Sequence, residues 1–199
     1  MYKNVQFGAS VTKYDVKDLN TSLERMRAAN AMFYTIPGPK MLWEFGELGY
    51  DISINQCDDG TNNSNCRVNA KPVKWSYKQE GARETLLDYV SDLIKLRRQY
   101  KVFTEGTAIF SGGTALVKQV AIKNSPYTAS PTDATQMNAH VIANFDVTEA
   151  NASIGFVHAG TWYNYYTGTS VEMTGTSLSV LLSPGEFMIF TDVPVKTIW

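Results

Sequence analysis

Between residues 107 and 191 the chain repeats one pattern: a short run rich in Val, Ile, Phe, Tyr and Ala, then a turn built on Gly or Pro. Nothing else in the sequence restricts the fold as strongly. Runs of this kind expose backbone donors and acceptors that only a β-ladder satisfies, and close spacing favours antiparallel pairing. The expected strands are Thr107 to Phe110, Ala115 to Ile122, Ala139 to Phe145, Ser153 to Val157, Thr161 to Tyr166, Ser170 to Met173, Leu178 to Leu182 and Phe187 to Thr191. Gly112-Gly113, Gly160, Gly168, Gly175 and Pro184-Gly185 separate them. So many short strands in a hundred residues make an all-β antiparallel sandwich.

The first half has a different chemistry. Thr21-Ser22-Leu23-Glu24 matches a capping box, so a helix is expected from Asn20 or Thr21. Leu23, Met26 and Phe33, with Ala28 and Ala29 between them, form its core face, and Ile36-Pro37-Gly38-Pro39 ends it. Lys40 to Phe45 reads as one short strand, apolar on both faces, of the type found in covered parallel sheets. An irregular polar stretch follows to about Tyr77. A long helix then runs from Gln79 to Tyr100 with Leu86, Val90, Leu93 and Ile94 as its stripe, and Arg97-Arg98 complement its dipole. Helix, buried strand, helix is part of a β/α architecture, and one parallel strand cannot bury itself. Residues 1–103 therefore read as an incomplete domain, and 104–199 as the sandwich. The fold class is an α+β fragment.

Composition narrows the function. The net charge is −1, from 18 basic and 19 acidic residues. That balance lacks the footprint of a nucleic-acid binder. No apolar run reaches the roughly 20 residues of a membrane span, and the N-terminus has no apolar leader segment. Cys57 and Cys66 flank the polar loop Asp58-Asp59-Gly60-Thr61-Asn62-Asn63-Ser64-Asn65. Their shared loop favours a short disulfide and an oxidising compartment; two free thiols are the other reading. His and Cys fall nowhere at zinc spacing, and no metal site is expected.

Four segments resemble, in order, the end of the α-amylase family of glycoside hydrolases. Pro37-Gly38-Pro39-Lys40-Met41-Leu42-Trp43-Glu44-Phe45-Gly46-Glu47-Leu48-Gly49-Tyr50 is similar to the eighth barrel strand and its Gly-x-Glu-x-Gly sequel. Lys71-Pro72-Val73-Lys74-Trp75 resembles the Pro-x-x-Trp stretch before the last barrel helix. Leu93-Ile94-Lys95-Leu96-Arg97-Arg98, followed by Gly106, resembles the helix leading into the C-terminal sandwich. Gly160-Thr161-Trp162, Tyr166-Thr167-Gly168 and Leu182-Ser183-Pro184-Gly185-Glu186 are similar to the later sandwich strands.

A whole (β/α)8 barrel needs about 250 residues. The resemblance thus implies the incomplete tail of a (β/α)8 barrel (helix, strand, helix) followed by the sandwich. Glycoside hydrolysis needs two flanking carboxyl groups. The family's strand-four aspartate, strand-five glutamate and Asn-His-Asp aspartate have no counterpart in this chain, so its catalytic residues are expected upstream of Met1 and the chain alone is expected to be inactive. The implied partners are an α-glucan polysaccharide or oligosaccharide and the missing N-terminal barrel segment. The implied setting is extracytoplasmic. Strand ends form the active face of such a barrel, which makes Glu47, Tyr50, Trp43 and Trp75 candidate substrate contacts. Packing is the favoured account of the two Trp, a loop-holding carboxylate that of Glu47, and an ion pair with the missing barrel that of Glu44. Calcium is implied for the parent protein; Asp58 to Asn63 lacks the spacing of a calcium loop and reads as solvated. A non-catalytic carbohydrate-binding module or a scaffold built on the same remnant is the alternative.

Overall fold

Asp18, not Thr21, caps the first long helix. In the computed structural model, which describes residues 1–195, helix α2 spans Leu19–Thr35, and the Asp18 carboxylate accepts from the Thr21 N–H at 2.9 Å. Hydrogen bonds from Thr21 hold the Asp18 carboxyl below its usual range. Two short features precede α2 that no periodic apolar pattern announces: helix α1 (Tyr2–Phe7) and the hairpin β1 (Ser10–Val11) with β2 (Tyr14–Asp15). The buried face of α2 carries Leu23, Ala28, Ala31 and Tyr34, whereas Phe33 is exposed, contrary to expectation. At 100° per residue Phe33 falls off the stripe that Leu23 starts, and Tyr34 takes its place.

Helix α3 (Gly81–Gln99) packs along α2, burying Leu86, Val90, Leu93 and Leu96. Arg97 at its end does more than complement a dipole. Its guanidinium donates to the carbonyls of Tyr34 at 3.1 Å, Ile36 at 2.8 Å and Gly38 at 2.5 Å, and to that of Phe103. It ties the open C-terminal end of α2 to α4 (Val102–Glu105).

The strand expected at Lys40 to Phe45 is absent. The segment is irregular, Met41 is 81% exposed, and Glu44 and Phe45 adopt φ of 25° and 49°. An apolar run becomes a strand only where another strand takes its N–H and C=O groups. All strand pairs among the described residues are antiparallel and lie elsewhere.

The second half forms all the strands expected of it, with ends shifted by a few residues: β3 (Thr107–Ser111), β4 (Val117–Lys123), β5 (Ala139–Asn144), β6 (Ala150–Gly155), β7 (Gly160–Asn164), β8 (Ser170–Met173), β9 (Ser177–Leu182) and β10 (Phe187–Thr191). Residues 196–199 of the expected sandwich lie outside the described residues. Six strands build one sheet in the order β3-β4-β5-β10-β7-β8, and β6 pairs with β9 in a two-stranded second layer. One face of the larger sheet meets the helices through Val120, Ile122, Val141 and Ile189. Its other face meets β6 and β9 through Ile142, Trp162, Met173 and Phe190, against Ile154 and Leu182. Strand β5 is buried along its whole length. Ala139 and Val141 serve the helical core and Ile142 the sandwich core, as a two-residue side-chain period requires.

His140 sits within β5, its Nε2 3.1 Å from Gln119 Oε1 and its Nδ1 buried without a partner. Burial pushes its pKa down to about 4. The unfolded ring titrates near ~6.5, so its stability contribution is whole above that pH and is lost as pH falls to about 4, with no further loss below. The loss is roughly 3 kcal/mol, at ~1.4 kcal/mol per unit. Urea unfolding between these pH values is expected to show it, and His140→Gln to flatten the difference; parallel profiles for both proteins would refute the assignment.

Candidate functional site

The polar stretch between α2 and α3 is the largest segment held by side chains instead of ladders, and it carries all the candidate contacts. A 3-10 turn (Gly46–Leu48) follows Phe45. Arg83, near the start of α3 and only 3% exposed, reaches across to it. Its guanidinium donates to the carbonyls of Leu48 (3.0 Å) and Gly49 (2.6 Å), and pairs with Asp51 (3.0 Å) and Glu80 (2.7 Å). The Tyr77 ring stacks against the same group, 3.8 Å from its central carbon, and the Tyr77 hydroxyl donates to Asp51 at 2.5 Å. Burial, then that hydrogen bond, raises the Tyr77 pKa. Gly49 allows the approach: φ is +66°, and a Cβ there would lie 2.4 Å from Leu23 Cδ2.

On this frame stands a row of rings. Trp43 meets Tyr50 edge-on at 6.1 Å, Phe45 lies 6.0 Å from Tyr50, and Phe45 meets Trp75 edge-on at 4.9 Å. Tyr50 is buried and fixed by a hydrogen bond from its hydroxyl to the Pro72 carbonyl at 2.7 Å. Trp75 is 70% exposed and Trp43 44%. Trp43 and Tyr50 also line a cleft of about 340 Å³ with Ile52, Ser53, Ile54 and Asn55. The structure thus brings Trp75, 25 residues beyond Tyr50 in the sequence, to the row that Trp43 and Tyr50 begin. Glu47 lies in the 3-10 turn directly after Phe45. Its Oε2 is buried without a hydrogen-bond partner, and its charge adds to burial in raising the pKa of Tyr34, whose hydroxyl is likewise buried and unpartnered. Glu44 is exposed.

The outer part of the loop is closed by a bond between Cys57 and Cys66, whose Cα atoms are 5.1 Å apart. Lys71, almost wholly buried, donates to the carbonyls of Gln56 (3.0 Å) and Cys66 (2.6 Å), bracing the ring from within. Asp59 is occupied by Thr61, which donates through its N–H (2.9 Å) and hydroxyl (2.7 Å). Among the described residues no three His, Cys, Asp or Glu side chains converge as a metal ion requires, and no helix is long and apolar enough to cross a membrane.

Solved structures share the fold of this chain. AmyP in complex with maltose superposes on 98% of the chain at a TM-score of 0.65 and 14% identity; AmyP in complex with maltotriose does so on 96%, at 0.62 and 16%. The fold is that of the C-terminal part of an α-amylase family enzyme. An α-amylase from Geobacillus thermoleovorans complexed with acarbose matches 89% of the chain at 0.58 and 10% identity, covering 34% of its own length. The chain spans 38–39% of the length of the AmyP structures it matches. No family model and no curated protein matches the sequence.

Sequence reasoning singled out the rings because Trp and Tyr are conspicuous in a polar loop. The role of Arg83, Asp51 and Lys71 in holding the loop is not legible in the sequence. Their partners lie 3 to 35 residues away, the Glu80–Arg83 pair being the most local.

Proposed function

We propose that this chain is the C-terminal portion of an α-amylase-like glycoside hydrolase acting on α-glucans, with residues 1–103 the end of a (β/α)8 barrel and 104–199 its C-terminal sandwich. The observation that carries the reading is the superposition of nearly the whole chain on less than two-fifths of AmyP, a protein solved with maltose and with maltotriose. In this reading the catalytic carboxylates belong to the preceding barrel segment, which packs on the apolar residues left open around Phe33, Met41 and Leu42. Trp43, Tyr50 and Trp75 give the sugar flat apolar faces, and Glu47 shapes the turn beside them. The disulfide fits an extracytoplasmic protein.

The exposure of Trp43 and Trp75 also supports a second reading, a non-catalytic carbohydrate-binding module. Electrophoresis in gels containing soluble starch tests both. The chain is expected to be retarded, to lose retardation in the Trp43→Ala/Trp75→Ala double variant, and to release no reducing sugar. Unchanged mobility removes the binding module. For the hydrolase reading, the reading frame upstream of Met1 should encode an Asn-His-Asp segment; a stop codon directly before Met1 would end it.

A further inference from the structure

We propose a second saccharide site, away from the Trp43–Trp75 row, in the cleft where α2 and α3 meet the sandwich. The choice of an α-glucan as its ligand rests on the function proposed above; the site itself rests on the following geometry.

The cleft holds about 480 Å³, within the roughly 300–1,000 Å³ of small-molecule sites. Helix α2 contributes Glu24 and Arg27, α3 contributes Tyr89, the segment after β7 contributes Tyr166, and the β9–β10 turn with the start of β10 contributes Glu186 and Phe187. Three rings form one wall: Tyr89 and Tyr166 are 5.2 Å apart, Tyr166 and Phe187 5.7 Å, Tyr89 and Phe187 6.2 Å. The Arg27 guanidinium lies 4.8 Å from the Tyr89 ring centre, and its Nε is buried with no hydrogen-bond acceptor.

The opposite wall is rigid. In the turn, Ser183 N–H donates to Glu186 Oε2 at 2.7 Å and Gly185 N–H to the Asn144 carbonyl at 3.0 Å. Gly185 has φ of +76°, and a Cβ on it would lie 2.5 Å from the Tyr14 hydroxyl. The turn is therefore docked against the N-terminal hairpin and cannot swing into the cleft.

Charge selects the ligand class. Glu24 and Glu186 repel an anion, and Arg27 repels a cation. A neutral ligand with one apolar face and many hydroxyls satisfies all three: its C–H face covers the rings, its hydroxyls donate to the carboxylates, and one oxygen accepts from Arg27. A sugar ring has this form.

Titration of the isotope-labelled full chain with maltoheptaose, followed by amide NMR, tests the proposal. Saturable shifts are expected at Arg27, Tyr89, Gly185 and Glu186. Tyr89→Ala is expected to weaken binding there by about tenfold, the upper value of an aromatic contact, without moving the shifts around Trp43 and Trp75. Glu24→Gln changes only an exposed position and is expected to weaken the same site while the fold is kept. Shifts confined to Trp43, Tyr50 and Trp75 would overturn the second site and leave the proposed function standing. Shifts nowhere would end both. Cleft shifts that persist unchanged in both variants would also overturn it, since these side chains would then make no contact with the sugar.

Discussion

Replacing Arg83 by Ala is expected to lower stability by about 3–5 kcal/mol, the range for removing one partner of a buried ion pair. The cost comes from what is left behind. The carbonyls of Leu48 and Gly49 lose a charged donor in a site closed to water, and Asp51 loses its ion-pair partner while keeping the Tyr77 hydroxyl. Glu80 is nearly half exposed and contributes little, which favours the lower end of the range. Arg83→Lys is expected to recover only a small part, because one ammonium cannot serve two carbonyls and a carboxylate in the fork geometry seen here. Urea unfolding of the three proteins at pH 7 provides the measurement. A loss below about 1 kcal/mol for Arg83→Ala would show that the loop is held by other means. The same variant should weaken retention in starch gels, since Tyr50 and Trp75 take their positions from the segment that Arg83 clamps.

An effect of similar size is expected in the other core. Trp162 is fully buried on β7, stacked on Phe156 at 4.4 Å, and its indole N–H donates to the His158 carbonyl at 3.2 Å. Trp162→Ala removes the largest side chain of that layer and a part-buried hydrogen bond with it, at about 3–5 kcal/mol. For a chain of this size that is a fall in Tm of roughly 10 °C. Trp75→Ala is the internal comparison. Trp75 is mostly in solvent, so its removal should lower stability by no more than about 1 kcal/mol while affecting sugar retention. Equal thermal shifts for the two variants would contradict the burial described here.

The antiparallel strands of the second half were largely legible in the sequence because their information is local. Alternating apolar residues and Gly or Pro turns placed β8 at Ser170–Met173 and β10 at Phe187–Thr191 without error. Strand β6 was expected at Ser153 to Val157 but runs Ala150–Gly155. Phe156 and Val157 are the more apolar residues, yet pairing with β9 fixes the register from Ala150 to Gly155. The segment Lys40 to Phe45 failed for a related reason. Its composition suits a strand covered on both faces, but composition cannot supply a neighbour. The strand that is covered on both faces is β5, and it is antiparallel. At the candidate site the rings were readable as residues, whereas their arrangement depends on Arg83 and Lys71, whose partners are set by the tertiary fold.

Strand β5 has a consequence for how the molecule comes apart. Its two faces belong to two different apolar cores, one shared with the helices and one with β6 and β9. Neither layer can peel away without exposing the strand that the other needs. The helices and the sandwich therefore melt as one cooperative unit, and the amides of Val141 and Ile142 should be the last to exchange with solvent.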